Sequence, residues 1–174
     1  MIIGMTHLLV LARFDDHAAA AAAARALHAH GIDREHLSVV ARNHGEAGAL
    51  AEEFDGTPGA DIEDSRAAAR LGELGGVLLA AVATVMPGIG SIVSAGPLSA
   101  GLGEAAGHVA GGVADVLRRA GVPAGRADAL EAAVQRGEFI LGVHTRESEI
   151  EVVRATLASS GALDVDIARW AGGQ

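Results

Sequence analysis

A long uncharged segment, residues 74–103, is the feature that most constrains the fold of this chain. Small side chains recur at every fourth position on both sides of Pro87; they are Ala68, Gly72, Gly76, Ala80 and Thr84 before it, and Ser99, Gly103, Gly107 and Gly111 after it. A spacing of four puts each row on one face of an α-helix, where two backbones can approach closely. The pattern predicts a glycine-rich apolar helical hairpin over residues 65–120, with helices at Ser65–Met86 and Leu98–Ala120.

The turn of this hairpin is expected between the two helices, because proline and glycine interrupt helices there. The turn residues are Pro87, Gly88, Gly90 and Pro97. Close helix packing is expected at the small residues Gly72, Gly76, Ala80, Gly103, Gly107 and Gly111. The larger apolar side chains form the surface that has to be covered in water; they are Val77, Leu78, Val82, Val85 and Ile89. We expect copies of the same chain to cover it and form a homo-oligomer.

Two other uses of the hairpin stay open. It could pack wholly within one protomer, or it could enter a lipid bilayer as a membrane-associated segment. A membrane-spanning helix needs about 20 apolar residues, whereas Pro87 and Gly88 interrupt the run and Glu104 and His108 follow it closely. A re-entrant or interfacial hairpin is therefore the membrane alternative, and it is not favoured.

The segments flanking the hairpin repeat one order of elements. Residues 1–45 predict strand, helix and strand, with the helix stopping at Gly31, and residues 137–172 predict the same order with a stop at Gly161. Two such units can pair into one four-stranded antiparallel sheet. We therefore expect a single α+β domain, residues 1–174, with a ferredoxin-like two-layer sandwich as its core. A shorter helix, Pro123–Arg136, is predicted before the second unit.

Composition excludes several functions. The net charge of −9 disfavours nucleic acid as a partner. The chain has no cysteine, which removes thiol catalysis and zinc–thiolate sites, and no lysine, which removes the phosphate-binding P-loop. Ser91, Ser94 and Ser99 have no recognisable histidine and acid partners in the sequence. We expect no enzyme activity and no cofactor, and the segment 1–10 lacks the basic start of a secretory signal, which favours a cytoplasmic protein.

Histidines and aspartates are the remaining candidates. His28, His30 and His36 cluster in sequence, but positions 28 and 30 face different sides of a helix, so we expect surface histidines and no metal site. Glu104 and His108 lie four residues apart and could form a pH-sensitive pair within the hairpin. The pair Asp15-Asp16 precedes a helix, where a carboxylate typically caps the first backbone N–H groups.

Several stretches carry a family resemblance. Residues 10–27 have Phe-Asp-Asp followed by an alanine-rich helix, residues 37–42 form a short aliphatic strand, and residues 87–98 read PGIGSIVSAGPL. Together with residues 137–164 they resemble the YflT-type heat-induced general stress proteins, a family related to general stress protein 17M. The resemblance implies a small bacterial stress protein with a ferredoxin-like core and a glycine-rich helical insertion, and it implies no reaction.

Three functional hypotheses follow. The leading one is a non-enzymatic stress protein that self-associates through the glycine-rich hairpin. The second is a stress protein that inserts the same hairpin into a membrane. The third is a metal-binding or small-ligand-binding protein that uses a pocket between the sheet and the hairpin.

Overall fold

The computed structural model of this chain describes residues 7–42, 82–86, 90–98 and 112–170. These residues form one six-stranded sheet in the order β3-β4-β2-β5-β1-β6, in which all neighbouring strands are antiparallel. The elements are β1 His7–Phe14, α1 His17–Ala29, β2 Leu37–Arg42, β3 Val82–Met86, β4 Gly90–Ala95, α2 Val113–Arg119, α3 Ala124–Arg136, β5 Phe139–Arg146, α4 Ile150–Ser159 and β6 Asp164–Arg169.

The four strands at one side of the sheet come from the two strand-helix-strand segments. Their order is β2-β5-β1-β6, so each segment contributes two strands that are separated by a strand of the other. This interleaving ties the two ends of the chain into one sheet. The predicted α+β class and the antiparallel sheet are confirmed.

Local signals explain where the helices begin and end. Asp16 caps α1 by accepting the backbone N–H of Ala19 at 2.7 Å, as the sequence predicts. Both α1 and α4 are followed by a glycine with positive φ, Gly31 at 93° and Gly161 at 90°. Pro123 precedes α3, and that helix covers almost the whole of the predicted segment.

The predicted helix Ser65–Met86 is wrong at its end, because residues 82–86 form strand β3. The predicted turn region is wrong in part as well, since residues 90–95 form strand β4. The two strands pair from Val82–Ser94 to Met86–Gly90. Valine, isoleucine and threonine favour extended backbone because their branched side chains are restricted in a helix. This local preference outweighs the four-residue spacing of small residues.

Both faces of the sheet are covered, which corrects the two-layer expectation. Helices α1 and α4 pack on one face, over side chains such as Val10, Phe14 and Leu141. Helices α2 and α3 pack on the other face, over Leu9 and Ile140. Successive side chains of a strand point to opposite faces. The alternating apolar residues of β1 and β5 therefore supply both cores.

Many predicted hairpin residues lie outside the described residues. They are Gly72, Gly76, Val77, Leu78, Ala80, Pro87, Gly88, Ile89, Gly103, Glu104, Gly107, His108 and Gly111. Of the others, Val82 and Val85 lie in β3, Gly90 begins β4, and Pro97 is helical, one residue after the bend at Gly96. The predicted first helix is thus wrong over residues 82–86 and the predicted turn over residues 90–95, whereas Leu98 and Val113–Arg119 of the predicted second helix are helical.

Candidate functional site

A cleft of about 190 Å³ opens at the end of the sheet where β1 begins and β5 ends. We call it the histidine cleft. Its lining combines three imidazoles with two carboxylates and a guanidinium; the residues are His7, Gly31, Ile32, Asp33, His36, His144, Thr145, Arg146 and Glu149.

Strand register brings the three histidines together. Leu37 of β2 pairs with Val143 of β5, so His36, directly before β2, lies beside His144. On the other side of β5, His144 pairs with Leu9 and His7 pairs with Arg146. The three residues come from positions far apart in the sequence, and only the pairing of β2, β5 and β1 makes them neighbours.

His144 is the buried member of this group, with 7% of its surface exposed. Its ring meets the ring of Trp170 edge to face, with the centroids 4.4 Å apart. Its Nε2 lies 3.5 Å from the hydroxyl of Ser38, and that hydroxyl accepts the backbone N–H of Leu98 at 3.1 Å. Because the hydroxyl already accepts one hydrogen bond from Leu98, its own proton is free to point to Nε2 of a neutral His144.

The surroundings keep His144 neutral. Burial, and to a smaller extent the nearby His36 and His7, lower the pKa of His144 to about 4. A buried imidazolium would lose its hydration without gaining a close carboxylate. In the tautomer that carries its hydrogen on Nδ1, neutral His144 accepts the Ser38 hydroxyl through Nε2.

The carboxylates of the cleft do not complete a metal site. Glu149 accepts the hydroxyl of Thr145 at 3.1 Å, and the backbone oxygen of Asp33 accepts the backbone N–H of His36 at 2.9 Å. Among the residues that the structure describes, no three histidine or acidic side chains converge as metal ligands. His28 and His30, which are near His36 in sequence, are exposed, and the ring of His28 bonds the carbonyl of Ile32 at 3.1 Å.

A second polar cluster lies at the opposite end of β1. Arg13 binds Glu138 at 2.9 Å and Asp164 at 3.2 Å, while Arg126 of α3 binds both Asp164 and Asp166. The hydrogen bond from Arg126 is the main cause that lowers the pKa of Asp164, and the two aspartates raise the pKa of Arg126. These charges pair with one another and fasten α3 to β6.

The segment after β4 packs tightly on the start of β2; it is a bend at Gly96 followed by Pro97 and Leu98, which are helical, and we call it the turn at residues 96–98. Gly96 has φ +84°, and a Cβ at this position would lie 1.9 Å from the carbonyl oxygen of Leu37. Leu98 then covers Gly142 of β5, where an added Cβ would lie 3.2 Å from the Leu98 side chain. The segment 96–98 thus sits directly on the central strands, next to Ser38 and His144.

Sequence reasoning missed Ser38 and His144, although His36 was among its candidates. A signal was present in β2 and β5, because Ser38 and His144 are polar residues that directly adjoin apolar runs in these strands. Polar residues at inward positions usually mark a hydrogen-bonded network. The register that joins them cannot be derived from either strand alone.

Within residues 7–42, 82–86, 90–98 and 112–170, no helix combines the length and the hydropathy that crossing a bilayer would require. Comparison of the chain with models of protein families, with curated proteins and with solved structures finds no match.

Proposed function

We propose that this chain is a non-enzymatic general stress protein that self-associates through the segment containing β3 and β4. The observation that carries the proposal is the character of β3, the end strand of the sheet. Its sequence, Val-Ala-Thr-Val-Met, has no charge and no proline. Natural proteins usually protect such an edge with charges, prolines or a covering segment, because an open edge pairs readily with another strand.

Strand β3 has one side available within the described part of the chain. It pairs with β4 there and with no other strand. Pairing with β3 of a second copy would extend the sheet across a two-fold axis, which is a common way to form a symmetric dimer. The segment that contains β3 and β4 was also expected to self-associate on the basis of the sequence. The proposed contact is now strand pairing instead of helix packing.

The strand order and the placement of the helices support the proposed relationship to the stress-protein family. The strand order β2-β5-β1-β6, with α1 and α4 on one face, is compatible with a ferredoxin-like core to which β3 and β4 are added. The resemblance of residues 10–27, 37–42, 87–98 and 137–164 to the YflT-type stress proteins suggests a bacterial cytoplasmic protein of this kind.

The polar groups favour a structural role over catalysis. Ser38 is fully buried, so its hydroxyl does not meet a substrate. Glu149 bonds Thr145, and Asp164 and Asp166 bond arginines. Each of these side chains already stabilises a contact between elements.

Size-exclusion chromatography with light scattering on the full-length protein tests the proposal. We expect a discrete dimer, and we expect Val85→Lys to convert it to a monomer because a charge on the edge opposes strand pairing. Val152→Lys is the matched control, since Val152 is half exposed on α4, and α4 packs on β1 and β6, at the other end of the sheet from β3. Its mass should equal that of the wild type.

Two results would contradict self-association through β3. One is a monomeric wild type at all concentrations, and the other is a Val85→Lys variant with an unchanged melting temperature and an unchanged dimer. Recovery of the wild type only with lipid vesicles would favour the membrane alternative instead.

A further inference from the structure

We propose that Ser38, Leu98 and His144 form an acid-sensitive latch, which holds the turn at residues 96–98 on the sheet at neutral pH and releases it in acid. The latch does not rest on the proposed self-association. It rests on the positions of three groups that belong to three separate parts of the chain.

The geometry makes the Ser38 hydroxyl the centre of the latch. It accepts the N–H of Leu98 at 3.1 Å and lies 3.5 Å from Nε2 of His144. Ser38 is fully buried and Leu98 is 2% exposed, so water does not replace either bond while the turn is seated. The close approach of Gly96 to Leu37 shows how little space separates the turn from β2.

Protonation of His144 removes the acceptor on which this arrangement depends. Nε2 then carries a hydrogen and can only donate, so the Ser38 proton loses its partner inside a dry core. A buried donor without an acceptor is unfavourable, and so is a buried charge without a counter-charge. When the turn separates from the sheet, water can hydrogen-bond Ser38 and hydrate the charged His144, and both unfavourable effects are removed.

The neighbouring groups increase the response to acid. His36, before β2, and His7, at the start of β1, both oppose a positive charge on His144. Arg146 of β5 adds a permanent positive charge to the histidine cleft, while Asp33 and Glu149 are its carboxylates. Trp170 touches His144 from the end of β6 and is neutral.

Charged residues on the helices of this face are engaged elsewhere. In α2, Asp115 pairs with Arg119, and Arg118 pairs with Asp128 of α3. Glu131 of α3 accepts the N–H of Ala114 at 2.8 Å. These groups do not line the histidine cleft, so we assign the acid response to His144.

Hydrogen exchange of the Leu98 amide in the full-length wild type tests the latch directly. The rate is measured at pH 7.5 and pH 4.5, and each value is divided by the intrinsic exchange rate at that pH. With a pKa of about 4 for the latched His144 and an ordinary 6.5 after release, opening should increase up to about 70-fold. The amide of Val10, fully buried in β1, is the internal control: it exchanges when the whole sheet unfolds, so its protection should stay well above that of Leu98 at both pH values.

A single substitution identifies the responsible group. His144→Gln keeps a hydrogen-bond acceptor but does not titrate, so the acid-induced acceleration at Leu98 should disappear. His30→Gln changes an exposed histidine and should preserve it. If His144→Gln fails to fold, amide exchange at Leu98 and at Val10 in the wild type still tests whether the turn opens separately from the sheet.

Three results would overturn the latch. The first is equal protection of Leu98 at both pH values. The second is equal protection of Leu98 and Val10 at pH 4.5, which would mean that Leu98 exchanges only when the whole sheet unfolds. The third is a folded His144→Gln variant that retains the acceleration.

Discussion

Gly96→Ala is the substitution to which this fold should respond most sharply. An alanine Cβ at this position would lie 1.9 Å from the carbonyl oxygen of Leu37 and 2.7 Å from Cα of Ser38. Real Cβ contacts stay beyond 3.0 Å, so the turn and β2 have to separate by about 1 Å. Both obstructing atoms belong to the backbone of a paired strand, which cannot move aside like a side-chain tip.

The size of the effect follows from what this separation disrupts. The positive φ of Gly96 alone costs an alanine about 1–2 kcal/mol. Displacement of the turn breaks the buried bond from Leu98 to Ser38, worth about 1 kcal/mol or more. It also exposes part of the Leu98 side chain, whose full burial is worth about 1.5–3 kcal/mol. We expect a loss of about 4 kcal/mol in the free energy of unfolding.

Gly161→Ala is the matched control. Gly161 has nearly the same φ, +90°, but an added Cβ would meet nothing within 4 Å. Gly161→Ala should therefore lower the free energy of unfolding by about 1 kcal/mol, from backbone strain alone. Urea unfolding of both variants, followed by far-UV circular dichroism, measures the difference. A Gly96→Ala variant within 1 kcal/mol of Gly161→Ala would refute the close approach of the turn to β2.

Three further measurements test other parts of the structure. The pKa of His144 is below its ordinary value, so the stability that its neutral form contributes is present above pH 6.5 and lost as the pH falls towards 4; urea unfolding at pH 7.5 and pH 4.5 should show a loss of up to about 2.5 kcal/mol. Asp16→Ala should lower the free energy of unfolding by about 1 kcal/mol through loss of the α1 cap, and an unchanged value would argue against that cap. Asp164→Asn should lower the melting temperature more than Asp128→Asn, because the Asp164 side chain is 29% exposed and binds two arginines, whereas Asp128 is 61% exposed and binds one.

The outer parts of the chain were predictable because local signals there agree with the tertiary structure. In β1 and β5, short aliphatic runs fit strands that are covered on both faces. In α1, an aspartate precedes an alanine-rich run and a glycine follows it, and the helix begins and ends accordingly. When propensity, capping and burial favour the same element, its existence can be inferred without long-range information.

The middle of the chain was harder to predict because two signals disagree there. Small residues at every fourth position indicate helices, whereas the branched residues of 82–86 and 90–95 favour strands joined by a short proline- and glycine-containing loop. The pairing of β4 with β2 resolves the conflict, and no local pattern reports that pairing. The histidine cleft depends on strand register in the same way.

The turn at residues 96–98 links the two proposals physically. Strand β3 is attached to the described sheet through β4, and β4 pairs with β2 along residues 92–95, directly before the turn. Release of the turn would leave β4 held by that ladder alone, and the position of β3 would become less defined. Acid should therefore weaken dimers formed through β3 in the wild type but not in His144→Gln. An acid-resistant dimer together with acid-induced exchange at Leu98 would separate the latch from the interface.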